Sequence, residues 1–262
     1  QYGKHIFVEK PIANTIADAE KMIKACQDTK VTLMVGQHMR RLSGIRKLKE
    51  LIDDGVIGLP IQVESNYSQN LGFAISPESF RWKGDNSGCP GGSLMTLGIH
   101  SADVFNYLLG PIYSAFAFSN KLYIPAPVDD VTTTIFKYES GVLGYLGSNY
   151  ASPKAVWFYI YGTEANLLFT VTPPELPFEE YLLWWEGVDQ DSSLKIFKKG
   201  QTGSESLPFE YGNPILEEVE EFADCIQTGA RPETDGEGAL SALRLINAAI
   251  ESAGSGKEVL LN

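Results

Sequence analysis

Gly3-Lys4-His5-Ile6-Phe7-Val8-Glu9-Lys10-Pro11 is an apolar, partly β-branched run that ends in a charged pair and a proline, and it reads as a buried strand over residues 5–8. Thr15 to Asp28 follows as an amphipathic helix, with Ala17, Met22, Ile23 and Cys26 available for its buried side. Val31 to Val35 is a second buried strand. Strand, helix and strand over about thirty residues make one βαβ unit, whose strands lie parallel. Open α/β sheets bind ligands at the carboxyl ends of their strands, and Glu9-Lys10-Pro11 lies at such an end. A lysine there can hold a substrate hydroxyl and favour its deprotonation. Taken alone, the tripeptide more readily describes a solvated lysine before a strand-ending proline. The chain opens at Gln1 and enters this strand at once, which reads as the interior of a domain.

Working outward, Arg46 to Asp54 reads as a helix stopped by Gly55 in a left-handed C-cap. Ile61 to Ser68 alternates as a strand, and a polar, Gly-rich stretch runs to Gly92. Ser93 to Leu109 reads as a helix with Ser93 as N-cap, ended by Gly110-Pro111. Strand-like runs then crowd together at Tyr113–Phe118, Val131–Tyr138, Val142–Tyr150, Val156–Tyr161, Asn166–Val171, Tyr181–Trp185 and Leu194–Phe197, which argues for a mainly antiparallel sheet. Helices over Pro214–Thr228 and Gly236–Ala253 close the chain. The expected class is α+β, an open sheet with the helices 93–109, 214–228 and 236–253 on one face. A remnant βαβ unit (1–37) precedes this α+β domain (38–262).

The second chemical signal is Gly91-Gly92-Ser93-Leu94-Met95-Thr96-Leu97-Gly98-Ile99-His100-Ser101-Ala102-Asp103. On a regular helix Thr96, His100 and Asp103 share one face. A neutral imidazole there can take a proton from a substrate alcohol. The same residues also suit a helix packed by its apolar side, with His100 and Asp103 bonding each other or a cap. A metal reading lacks a third ligand. Phe80-Arg81-Trp82-Lys83 offers Arg81 and Trp82 to line a cleft against a sugar hydroxyl or phosphate, or else forms a polar loop with one buried tryptophan.

Together these segments resemble the Gfo/Idh/MocA family, whose members carry GKHxFxEKP followed by GGxLxDxGxHxxDxxxxLLG. Val35-Gly36-Gln37-His38-Met39-Arg40 is similar to the strand-to-helix junction of that family, and Thr234-Asp235-Gly236-Glu237-Gly238-Ala239 onward resembles its closing helix. The resemblance implies a Rossmann half, an α+β half with an open sheet, and an active site between them. It implies Lys10 and His100 as the catalytic pair, Glu9, Lys10 and Pro11 beside the nicotinamide of NAD or NADP, and a Lys10–Pro11 bond in the cis form. It also implies hydride transfer to or from a sugar, inositol or related polyol, with Thr96, Asp103, Arg81 and Trp82 on the substrate. An NAD-dependent glycosidase and a non-catalytic sugar-binding or regulatory relative are the alternatives. Two departures stand out. Thr96 occupies the place of the family's aspartate, and it can hydrogen-bond but carries no charge. No GxGxxG occurs in the 262 residues, so this chain is expected to have lost most of its Rossmann domain and to bind a dinucleotide poorly.

Composition narrows the partners. A formal net charge of −12 opposes a nucleic-acid or anionic-membrane surface, and no run reaches the roughly 18 apolar residues of a membrane span. Three scattered cysteines suit free thiols in a reducing compartment, and the cytoplasm is expected. The strand Val131–Tyr138 has no strongly polar side, so the open face of the sheet is expected to pair with another subunit in a homo-oligomer.

Overall fold

A computed structural model of the chain describes residues 3–74, 87–174, 176, 180 and 183–261. Strands β1 (Ile6–Glu9) and β2 (Leu33–Gly36) pair in parallel, Ile6 opposite Leu33 and Glu9 opposite Gly36. Helix α1 (Ile16–Thr29) connects them. It starts where the Thr15 hydroxyl accepts from the Asp18 N–H, and that cap sets its phase: Ala19, Ile23 and Cys26 are buried while Ala17 is exposed. The expected inward Ala17 is thus replaced by Ala19, which falls in register with Ile23.

After β2 comes a tight 3-10 turn, His38–Arg41, and then α2 (Ser43–Asp53). Among the described residues, the remainder builds one nine-stranded sheet around three further helices. In chain order its strands are β3 (Pro60–Ser68), β4 (Ile112–Asn120), β5 (Val131–Tyr138), β6 (Leu143–Asn149), β7 (Ala155–Gly162), β8 (Ala165–Val171), β9 (Ser192–Lys198), β10 (Glu205–Ser206) and β11 (Val259–Leu260). Across the sheet they run β10-β9-β8-β7-β3-β6-β5-β4-β11. Seven of the eight pairings are antiparallel; β3 lies parallel to β6 and antiparallel to β7, so the earliest strand sits in the middle.

Three elements differ from the sequence reading. Residues 183 and 184 are helical and Trp185–Asp191 is a 3-10 turn, not the end of a strand from Tyr181. Residues 181 and 182 lie outside the described residues. The Trp184 indole N–H donates to Asp191 at 2.7 Å, a local bond that favours the turn over the aromatic strand propensity. Ser93 already has helical dihedrals and caps nothing; its hydroxyl lies 3.3 Å from both the hydroxyl and the carbonyl oxygen of Ser148. Helix α4 (Pro214–Thr228) packs on the 3-10 turns at 38–41 and 185–191, and α2 takes its expected place on the sheet beside α3 (Ile99–Leu109) and α5 (Gly236–Ser255). The close approach of α2 depends on Gly44, where a Cβ would fall 2.2 Å from the Phe169 ring.

The two faces of the sheet are clearly distinguished. On β5, Thr132, Thr134, Phe136 and Tyr138 are buried toward the helices, while Thr133, Ile135 and Lys137 are exposed. Register carries the open face across the strands as one row: Phe116, Ile135, Tyr145, Glu64, Tyr159 and Leu168. Ile135 and Phe118 on this side are 56 % and 71 % exposed, so the face away from the described helices is largely apolar and open to water in the single chain. No described helix is long and apolar enough to cross a membrane.

Candidate active site

The carboxyl end of β1 delivers Glu9 and Lys10, and the Lys10–Pro11 peptide is cis. Glu9 lies over Gly36 at the end of β2, where a Cβ would come 3.4 Å from Oε1. The Lys10 ammonium donates to the carbonyl of Thr96 at 2.8 Å. That bond joins the two sequence motifs, 86 residues apart, at one place.

The segment supplying Thr96 is not a plain α-helix. Leu94–Gly98 forms a π turn, in which the Ile99 N–H reaches back to the Leu94 carbonyl, and α3 continues from it. One extra residue rotates the side chains before the turn by ~100° relative to those after it. Thr96 therefore leaves the face expected from its spacing to His100 and Asp103. Its hydroxyl bonds the Gly92 carbonyl at 3.2 Å and the Tyr150 hydroxyl. Burial pushes the Tyr150 phenol well above its ordinary range, so it is a neutral partner for the threonine.

His100 and Asp103 have different surroundings. The His100 ring, 3 % exposed, lies 4.9 Å from the His38 ring and 5.8 Å from Tyr67. Asp103, expected on the substrate, instead takes two hydrogen bonds from Arg40, from Nε at 2.8 Å and Nη2 at 2.5 Å. The Arg40 Nη1 donates onward to the Glu233 carbonyl at 3.3 Å. This bidentate pair ties the 3-10 turn after β2 to α3 and so fixes His38 against His100. Arg81 and Trp82, the other expected substrate contacts, lie outside the described residues.

Sequence reasoning noted the junction Gln37-His38-Met39-Arg40 without giving its side chains a role. The structure makes His38 a central member of the site, between His100 and Trp185, whose ring is 4.8 Å away. Burial, with Lys10 nearby, pushes the His38 imidazole down to about 3, so it is neutral at physiological pH. Gln37, 1 % exposed, has neither amide atom hydrogen-bonded among the described residues. A polar Gln-His pair directly after a buried strand was the signal available for both. Behind the site, Arg41 is enclosed by Glu217, Glu218, Glu221 and Glu233. Burial pushes the Glu218 carboxyl up to about 8 against the pull of Arg41. Among the described residues no cluster of three or more His, Cys, Asp or Glu side chains could hold a metal ion.

The site thus offers an anchored ammonium and two adjoining imidazoles, walled by Tyr67 and Trp185. Residues 45–168 match the profile of the GFO/IDH/MocA C-terminal domain, and residues 1–37 that of the oxidoreductase family NAD-binding Rossmann fold. The D-xylose 1-dehydrogenase [NADP(+)] of Haloarcula marismortui is 26 % identical over 266 residues, spanning 100 % of this chain and 69 % of that protein. The myo-inositol 2-dehydrogenase of Thermotoga maritima is 24 % identical over 264 residues, 95 % of this chain and 70 % of its own. A crystal structure from Desulfitobacterium hafniense, assigned as an NADPH-dependent oxidoreductase, superposes with a TM-score of 0.91 at 31 % identity, over 99 % of this chain and 73 % of that one. The chain belongs to the Gfo/Idh/MocA oxidoreductase family.

Proposed function

We propose that this site transfers a hydride between NAD or NADP and a sugar, inositol or related polyol, with Lys10 and His100 as its catalytic pair. The observation that carries the reading is the Lys10 ammonium, held at 2.8 Å by the Thr96 carbonyl at the carboxyl end of a parallel strand. A positive charge there stabilises negative charge on a reacting oxygen, and His100 accepts the hydroxyl proton. Glu9, Lys10 and Pro11 would border the nicotinamide.

The residues at this edge fit such a cofactor. Gln37 presents a buried donor and a buried acceptor with no partner among the described residues, and buried polar groups of that kind are normally satisfied by something. The cofactor, when bound, supplies the hydride acceptor; orientation, charge and proton handling come from this chain. Residues 1–37 form the dinucleotide-binding part and 38–262 the substrate part. With no GxGxxG among the 262 residues, these residues alone are expected to hold a dinucleotide weakly. Three free, buried cysteines support a reducing compartment such as the cytoplasm.

The test is nicotinamide absorbance in the polypeptide as its gene encodes it, with NAD or NADP and a panel of sugars and inositols. Net turnover supports the dehydrogenase. Sugar release without net cofactor change would make it a glycosidase, and binding without either a regulator. Lys10→Met should lower turnover by about 100-fold or more while cofactor affinity stays within a few-fold; near-normal turnover would remove Lys10 from the mechanism. The open sheet face is expected to pair with a second copy, because a single chain leaves Phe118 and Ile135 in water. Light scattering should report an oligomer that Ile135→Glu dissociates, and a clean monomer of the unaltered chain would refute it.

A further inference from the structure

One buried side chain of the cluster has no task in the Lys10–His100 chemistry. His38 is 9 % exposed, and its ring contacts His100 on one side and Trp185 on the other. Tyr67 completes the ring cluster, 5.8 Å from His100 and 6.4 Å from Trp185 between ring centroids. The His38 Nε2 is fully buried and has no hydrogen-bond partner among the described residues. Leaving such an atom unpaired is costly, so the position calls for a ligand group that completes it.

We infer that His38 is a specificity-determining residue that hydrogen-bonds the hydroxyl next to the reacting one, so that the site selects polyols with neighbouring hydroxyls. The inference deepens the hydride-transfer reading and rests on it for the identity of the reacting oxygen. A neutral imidazole offers one donor and one acceptor, the same pair that a hydroxyl offers in return. Because burial keeps His38 neutral at physiological pH, it reads a hydroxyl without taking up its proton, and proton transfer remains with His100. Adjacent imidazoles suit adjacent oxygens of one sugar: the first between Lys10 and His100, the second on His38. The aromatic walls of Tyr67 and Trp185 suit the apolar C–H surface of such a ring. His38 in turn is placed by the Arg40–Asp103 pair one turn away.

The experiment compares D-xylose with 2-deoxy-D-xylose, and myo-inositol with a deoxyinositol lacking the hydroxyl beside the oxidised carbon. Binding is read by calorimetry and by quenching of tryptophan fluorescence, since Trp185 packs on His38. In at least one pair the complete polyol should bind roughly 10- to 100-fold more tightly than its deoxy partner, one hydrogen bond in a buried site. His38→Phe should bring the two within about threefold by weakening only the complete polyol, and His38→Asn should recover part of the difference. Equal binding of both members by the unaltered protein would overturn the inference without needing any variant. Discrimination that survives in a folded His38→Phe protein would overturn it as well. Turnover without discrimination refutes the role of His38 alone, and discrimination without turnover refutes hydride transfer alone. Failure of every probe to bind refutes both.

Discussion

Glu218 should make the folded state less stable as pH rises, and Glu218→Gln should abolish that dependence. The carboxyl is 3 % exposed, its Oε1 stands 3.9 Å from Arg41 Nε, and that oxygen has no hydrogen bond among the described residues. Burial raises it from 4.5 to about 8; Arg41 opposes the rise, and Glu9, Asp103 and Glu217 add to it. A carboxyl raised on folding holds its proton more tightly in the native state. Its contribution is therefore whole below about 4.5 and is lost as pH climbs through about 8. At about 1.4 kcal/mol per pH unit, that span sets a ceiling of ~5 kcal/mol. Relaxation around a buried charge and access of water to its neighbours reduce this, so we expect about 2–3 kcal/mol. Urea unfolding followed by tryptophan fluorescence, at about pH 5, 7 and 9, reads the difference between variant and unaltered protein. The variant should be equal near pH 5 and more stable by that amount near pH 9. Parallel stability curves, or a glutamine that destabilises at every pH, would refute the reasoning.

Two further substitutions test the frame of the site. Asp103→Ala leaves the Arg40 guanidinium, 7 % exposed, with only the Glu233 carbonyl among its named acceptors; it should cost about 3–5 kcal/mol in urea, and adding Arg40→Met should recover much of that. A loss below about 1 kcal/mol would mean that the pair is not buried in solution. Gly44→Ala places a Cβ 2.2 Å from the Phe169 ring, so the overpacking cost of about 1–3 kcal/mol should exceed the helix-propensity gain of ~1 kcal/mol. A raised urea midpoint for Gly44→Ala would show that α2 can move off the sheet.

What the sequence revealed followed the range of the forces that set each element. Val131–Tyr138 and Pro214–Thr228 appear at their expected limits, because a run rich in β-branched and aromatic residues marks the first and Asn213-Pro214 with Gly229 marks the second. The Trp184–Trp185 segment misled because a single indole bond to Asp191 outweighs strand propensity. The two-residue strands β10 and β11 are too short to show a period and exist only through their neighbours β9 and β4. At the site, the two segments that the Lys10–Thr96 bond joins were each legible as local motifs. The π turn was not, since the spacing of Thr96, His100 and Asp103 is the same whether or not an extra residue is wound in. Nor was the Arg40–Asp103 pair, which joins positions 63 residues apart. His38 stood in a segment already singled out, but a lone histidine after a strand acquires meaning only when Trp185 and His100 are seen on either side.

The central position of β3 also governs how the chain reaches this structure. Strands β4 to β6 and β7 to β9 each join near neighbours in sequence, and short loops of that kind close quickly. β3 is synthesised before both groups, yet pairs with β6 about 80 and with β7 about 90 to 100 residues downstream. Apart from the two-residue pairing of β11 with β4, these are the longest loop closures in the sheet, and folding is paced by their meeting more than by the hairpins. Until then the inner edges of β6 and β7 are unpaired and can recruit the same strands of another chain. Aggregation during refolding should accordingly rise with any change that weakens β3, even one that leaves the finished molecule almost as stable.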